Sequence, residues 1–271
     1  MGNDKRLSNG VVDCTSLFGD WQSMISKLYI SEIIMNKSDA VNDSVYPFSL
    51  PVVKNLEKLK LNHNITFFVG ENGTGKSTLL EAIAVNYGFN PEGGSKNFSF
   101  STMTSHSELY KYITLAKGAY KPQNGYFLRA ESFYNVATEI EKLDAIPSSA
   151  PLVKRSYGGK SLHEQSHGES FWSLIMNRFS GNGLYLMDEP EAALSPSRQM
   201  ALLARMYELE KANSQFIVAT HSPILLAYPN SQIFVLTDDE ITLTPYKETD
   251  HYTITKQFMN NPERMLKHLL N

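Results

Sequence analysis

Three short runs of the chain carry no charge at all: ITFFVG at Ile65–Gly70, LYLM at Leu184–Met187 and FIVAT at Phe216–Thr220. Unbroken apolar runs of this length predict buried strands. Directly after the first run, Leu79, Leu80, Ile83 and Ala84 recur at helical spacing and predict a helix over Gly75–Val85. Further helices are expected over Ser101–Ala116, Ser132–Leu143, Glu169–Phe179 and Tyr252–Leu270. Strands are expected near Lys27–Met35 and Tyr46–Val53, and SQIFVLTDD and EITLTPYK read as two more around a turn at Asp238–Glu240. Acids at such a polar turn read as solvent-facing. Residues from Met1 to about Asp20 read as a polar, loosely held start. The mixture places the chain in the α/β class.

Composition narrows the choices. With 271 residues and 42% hydrophobic content, one domain over 1–271 is expected, with a helical subdomain from about 95 to 180. No apolar run approaches a membrane span and the N-terminus lacks a signal-peptide core, so no membrane insertion and a cytoplasmic location are expected. The chain begins Met-Gly, but Arg6 stands where a myristoylation motif needs Ser or Thr. A single cysteine, Cys14, rules out an internal disulfide framework and a cysteine zinc site. The net charge of −3 gives no bulk support for nucleic-acid binding. Local basic groups remain: Lys154, Arg155 and Lys160 precede a serine-glycine segment, and Lys111, Lys117 and Lys121 lie further upstream. An ordinary solvated surface is the simpler reading of both groups, the alternative for Lys160 or Arg155 being a nucleotide contact across a subunit interface.

The apolar runs end on chemistry. Between the first strand and its helix lies GENGTGKST, Gly70–Thr78, a G-x-x-x-x-G-K-[ST] loop in the strand–loop–helix setting that gives the pattern physical meaning. Gly70, Gly73 and Gly75 let the backbone of Asn72, Thr74 and Thr78 curl around phosphates, and the helix N-terminus adds partial positive charge. Lys76 is expected to reach the β- and γ-phosphates and Ser77 to hold Mg²⁺. A second Gly-Lys-Ser at Gly159–Ser161 has no apolar strand before it and reads as a loop. The LYLM run ends in Asp188 and Glu189, acids at the carboxyl end of a strand, where α/β sheets bind ligands. Asp188 suits Mg²⁺, directly or through water, and Glu189 suits the base for an attacking water. His221 sits just past FIVAT and is the candidate γ-phosphate contact.

This set resembles the ATP-binding-cassette ATPases, with Walker A, signature, Walker B, D-loop and switch histidine in their usual order. GENGTGKSTLLEAIA and DEPEAALSP look more like SMC-, RecF- and OLD-type heads than like transporter cassettes, and YFLRAESF, LHEQSHGESF and ATHSPILLAYP resemble small stand-alone bacterial ATPases of that class. The resemblance spans about Tyr29 to Leu270. It implies a P-loop NTPase fold, an ABC-ATPase head with a mixed central sheet, an antiparallel β edge and a helical subdomain. It also implies ATP and Mg²⁺ as cofactors, catalysis through Glu189, His221 and Lys76, and a homodimer formed on ATP binding. In that dimer SHGES, 22 residues before Asp188, supplies Ser166 and Gly168 to the γ-phosphate held by the other subunit; taken alone, the segment also reads as a helix cap.

Several positions depart from the family pattern. His167 replaces a signature glycine, Ser195 stands at the D-loop aspartate, and Glu131 stands where a glutamine is usual, either as a metal ligand or as a cap of the following helix. Tyr46 and Phe48 are candidates for stacking on adenine, with core packing as the alternative. Fewer than ninety residues separate Thr78 from Ser166, too few for the coiled-coil arms of an SMC protein, and only about fifty follow His221, too few for an OLD-type nuclease half. The resemblance implies a switch in DNA maintenance or phage defence, acting on DNA or on an effector protein. The alternatives are the cytosolic ATPase subunit of a membrane transporter and a P-loop kinase, the latter needing neither SHGES nor the histidine.

Overall fold

The protein is described here by a computed structural model covering residues 28–36, 42, 44–96, 107–147 and 151–270. The expectations for the loose start, Cys14 and the first part of the Ser101–Ala116 helix lie outside these residues.

Two sheets organise the chain. A three-stranded antiparallel sheet consists of β1 (Ile30–Met35), β2 (Lys58–Lys60) and β4 (Ile113–Lys117), in the order β2-β1-β4. The six-stranded central sheet runs β5-β6-β7-β3-β8-β9, with β3 at Ile65–Gly70, β5 at Asn124–Arg129, β6 at Gly183–Asp188, β7 at Gln215–Ala219, β8 at Gln232–Leu236 and β9 at Ile241–Leu243. All its pairs are parallel except β8–β9. The helices are α1 (Pro51–Asn55), α2 (Lys76–Tyr87), α3 (Phe133–Ala145), α4 (His167–Arg178), α5 (Pro196–Lys211), α6 (Pro223–Leu226), α7 (Asp250–Asn260) and α8 (Pro262–Leu270). This is a P-loop NTPase fold with a mixed α/β core and an antiparallel sheet beside it.

The uncharged runs are explained by burial on both faces of the central sheet. Phe68, Leu184, Leu186, Ile217 and Ala219 join one apolar core with α2 and the antiparallel sheet. Their neighbours Phe67, Val69, Tyr185, Met187, Phe216 and Val218 join a second core with α3, α4 and α5. Alternate residues of one strand thus feed different cores, as the period of two requires. A buried amide ties the sheets together: Gln215 Oε1 accepts from Tyr29 N at 2.8 Å and Ile30 N at 2.9 Å, and its Nε2 donates to Ile30 O at 2.8 Å.

Three expectations need correction. Tyr46–Val53 is not a strand: Pro51 occupies the first helical position of α1, where its missing N–H costs nothing, and Val52 and Val53 are buried, Val52 against the phosphate loop. The strands that pair with β1 are instead β2 and β4. Within Ser101–Ala116, a one-turn helix at Glu108–Tyr112 gives way to β4, because Ile113 and Leu115 alternate inward against β1. The C-terminal helix is two helices, broken at Asn261 by Pro262.

Candidate functional site

Strand register assembles the site. Asp188 on β6 lies opposite Ala219 on β7, which lies opposite Phe68 on β3. One residue further, Glu189 N donates to Ala219 O at 2.9 Å and Thr220 N to Phe68 O at 3.1 Å. The chain segments after three neighbouring strands therefore leave the sheet at one level, which brings Gly70–Thr78, Asp188–Glu189 and His221 together.

The phosphate loop is wedged between backbone and side chains that demand glycine. A Cβ on Gly70 would lie 2.2 Å from Leu236 O, and one on Gly75 would lie 2.5 Å from Val52 Cγ1. Gly75 also caps α2 in the left-handed region, at φ +97°. Asn72 is exposed, Thr78 is half-buried, and the buried Thr74 donates its hydroxyl to Glu71 O at 2.9 Å. Lys76 is buried, and its Nζ donates to Gly70 O at 2.8 Å and Glu71 O at 2.9 Å. Burial holds its pKa below the usual lysine value, against the pull of Glu189 and Asp188, which favour the charge.

Ser77 Oγ donates to Asp188 Oδ1 at 2.9 Å. Burial pushes the Asp188 carboxyl up to about 6, against the opposing effects of Arg129 and of the Ser77 hydrogen bond. A hydroxyl and one carboxylate beside a phosphate loop suit Mg²⁺, which keeps several waters and takes few protein ligands. Among the described residues no group of three or more His, Cys, Asp or Glu could hold a metal ion.

Glu189 adopts φ 48°, ψ 53°, a left-handed conformation that costs a non-glycine residue energy and concentrates at functional sites. His221 Nε2 is buried, has no hydrogen-bond partner among the described residues and lies 3.9 Å from Glu189 Oε1. Burial, and after it the nearby Lys76, lower the His221 pKa against the opposing pull of Glu189 and Glu71. An orphaned buried nitrogen calls for a partner, and a phosphate oxygen would satisfy it.

Three residues of the site were not picked out from the sequence. Arg129, at the end of β5, places Nη1 2.7 Å from Glu81, Nε 3.5 Å from Asp188 and Nη2 3.7 Å from Glu131. Glu131 has a side chain 84% exposed and meets Asp188 through this guanidinium. Glu191 accepts from His221 N at 2.5 Å and from Thr220 Oγ1 at 2.8 Å, fastening the histidine loop to the segment that carries Glu189. His251, at the start of α7, reaches the His221 ring. A charged residue closing the apolar run YFLR was a usable signal for Arg129; the other two contacts depend on tertiary folding.

The signature candidates sit elsewhere, at the N-terminus of α4, which packs on the one-turn helices at Val153–Tyr157, Leu162–Glu164 and Pro190–Ala193. Ser166 caps α4, its Oγ accepting from Glu169 N at 3.4 Å; Glu169 Oε2 in turn accepts from Ser166 Oγ at 2.7 Å and from Ser166 N at 3.1 Å. These bonds hold the exposed Glu169 carboxyl below its usual range. A Cβ on Gly168 would come within 3.0 Å of Ala193 O, so α4 starts close against the segment after Glu189. His167 meets the edge of Phe133 at 5.7 Å. Ser195 caps α5, accepting from Arg198 N at 3.4 Å. Gly159–Ser161 is loop, as expected, and Ser161 caps the short helix at Leu162–Glu164. Phe48 is buried edge-on against Tyr112, whereas Tyr46 is exposed.

Two protein-family models match overlapping stretches of the chain. Residues 48–157 match one described as "AAA domain", and residues 148–227 one described as "AAA domain, putative AbiEii toxin, Type IV TA system". An "Uncharacterized ABC transporter ATP-binding protein" of Haemophilus influenzae is 25% identical over 236 residues, covering 81% of this chain and 88% of that protein. The "ABC-type transporter ATP-binding protein EcsA" of Bacillus subtilis is 29% identical over 190 residues, covering 63% and 71%. The SMC head domain from Thermotoga maritima aligns with a TM-score of 0.41 at 14% identity, covering 80% of this chain and 99% of that one.

Proposed function

We propose that this chain, a P-loop ATPase of the ATP-binding-cassette class resembling SMC- and RecF-type heads and in general terms a nucleotide hydrolase, hydrolyses ATP in a homodimer. The cycle then serves as a switch in DNA maintenance or phage defence, acting on DNA or on a partner effector. The observation that carries this reading is the meeting of Lys76, Ser77, Asp188, Glu189 and His221 beyond three adjacent strands.

Each side chain has a task suited to its surroundings. Lys76 exchanges the carbonyl oxygens of Gly70 and Glu71 for phosphate oxygens, and the N-terminus of α2 adds its partial charge. Ser77 and Asp188 would hold Mg²⁺, which supplies charge neutralisation when bound. Glu189 takes a proton from the attacking water, and His221 offers Nε2 to the γ-phosphate. Positioned charges of this kind act on the transition state more than on bound substrate.

Ser166 and Gly168 complete the site of a second copy. The support is that the N-terminus of α4 is exposed and its dipole favours an anion. The Ser166 hydroxyl would then release Glu169 for a phosphate oxygen. A cytoplasmic location follows as part of the same proposal.

A transporter role is the second reading, favoured by the names of the two curated relatives. That role would need a membrane partner; no helix among the described residues is long and apolar enough to cross a membrane. The description attached to residues 148–227 favours the defence reading. Phosphate release with and without DNA, alongside affinity capture from native cells, separates them: DNA stimulation supports the first role and recovery of a membrane protein the second. Release unaffected by Lys76→Ala would contradict both.

A further inference from the structure

We propose that His251 is a positioning residue for His221: its Nε2–H donates to His221 Nδ1 and fixes His221 as the tautomer carrying its proton on Nε2. The inference rests on the reading of His221 as a γ-phosphate contact.

The two rings approach with His221 Nδ1 3.2 Å from His251 Nε2, their centroids 5.4 Å apart and their planes inclined by 40°. At that separation one nitrogen donates and the other accepts. The opposite end of the His221 ring decides which. Nε2 is buried without a hydrogen-bond partner among the described residues and lies 3.9 Å from a carboxylate oxygen of Glu189. A carboxylate only accepts, as does an ionised phosphate oxygen. A bare Nε2 would set lone pair against lone pair, whereas Nε2–H is attracted to both. The proton therefore belongs on Nε2, and Nδ1 must accept from His251. Burial is the main influence lowering the pKa of both rings, joined by Lys76 at His221 and by His221 and Lys76 at His251; Glu189 and Glu71 oppose it at His221, and Glu71 and Asp250 at His251.

A second contact holds His251 in place. Thr249 caps α7, accepting from Tyr252 N at 3.3 Å, and its hydroxyl donates to Tyr246 O at 2.8 Å. Tyr246 in turn donates its hydroxyl to Pro223 O at 2.9 Å, two residues beyond His221. The segment after β9 thus grips the histidine loop at two points, one by a phenol and one by an imidazole. It also walls a cavity of about 330 Å³ against the phosphate loop, lined by Gly70, Glu71 and Thr74 on one side and Thr249, Asp250 and His251 on the other. A displacement of α7 would reach His221 through this contact.

The test uses the full chain labelled with ¹⁵N-histidine. Long-range ¹H–¹⁵N spectra report the tautomer directly, and wild-type His221 is expected with its proton on Nε2. In His251→Leu that signature becomes mixed, and kcat falls about 10-fold with the KM for ATP nearly unchanged, less than the roughly 10²-fold or more lost when a preorganised donor is removed outright. His251→Gln keeps an N–H donor and recovers most of the rate. A wild-type His221 protonated on Nδ1 overturns the proposal, as does an unchanged kcat in a folded His251→Leu, or equal losses in the Leu and Gln variants. Should His251→Leu fail to fold, the wild-type tautomer and the Gln variant decide. A wild-type rate in His221→Ala instead defeats the reading on which the inference rests, a result distinct from any outcome at position 251.

Discussion

The Ser77 hydroxyl donates to Asp188 Oδ1 at 2.9 Å, joining the first turn of α2 to the end of β6 across 111 residues of sequence. The bond holds together the two protein groups proposed for Mg²⁺, one from each motif. Ser77→Ala removes one of them and frees the other. Calorimetric titration should show Mg·ATP binding weakened by at least about 10-fold, a cost reached even by loss of a metal's outer-shell partners. Binding of metal-free ATP should change little; equal weakening with and without Mg²⁺ would contradict the assignment.

Arg129 is the cation shared by the nearly buried Glu81 and Asp188 carboxylates. Arg129→Ala leaves both without it, and urea unfolding should show a loss of about 3 kcal/mol, the cost of breaking a buried pair. Arg129→Lys should recover only part of the loss, because an ammonium cannot reproduce the guanidinium fork. Wild-type stability in Arg129→Ala would remove this residue from the account.

Asp188 predicts a pH dependence whose sign is unusual for a carboxylate. Burial raises its folded pKa from 3.8 to about 6, so between those values the folded state holds the proton more tightly than the unfolded chain. Its contribution therefore falls as pH rises from about 4 to about 6, and the penalty, at most about 3 kcal/mol, is fully present above that range. In metal-free buffer Asp188→Asn should melt above wild type at pH 7, with the gap closing toward pH 4. A gap independent of pH would show that the charge of Asp188 is not what burial penalises.

Much of this site was legible because its signals are local. The uncharged runs ITFFVG, LYLM and FIVAT are the central strands β3, β6 and β7, and each leads directly into a motif, so finding the strand located the chemistry. Two of the misread elements, Tyr46–Val53 and Ser101–Ala116, lack such a run, and there the outcome was set by Pro51 and by pairing of Ile113–Lys117 with β1. Glu191, Arg129 and His251 act through contacts with residues 30, 59 and 30 positions away, which no local pattern encodes. The roles proposed for Ser166 and Gly168 would depend on a second copy of the chain.

The most direct test of the central claim is the mass of Glu189→Gln in solution, measured by sedimentation with saturating Mg·ATP. The account predicts that this variant binds ATP, loses turnover by about 10²-fold or more, and sediments as a dimer that dissociates when ATP is removed. A Glu189→Gln protein that remains monomeric under saturating ATP and hydrolyses it at the wild-type rate would contradict both the assignment of the base and the two-copy site.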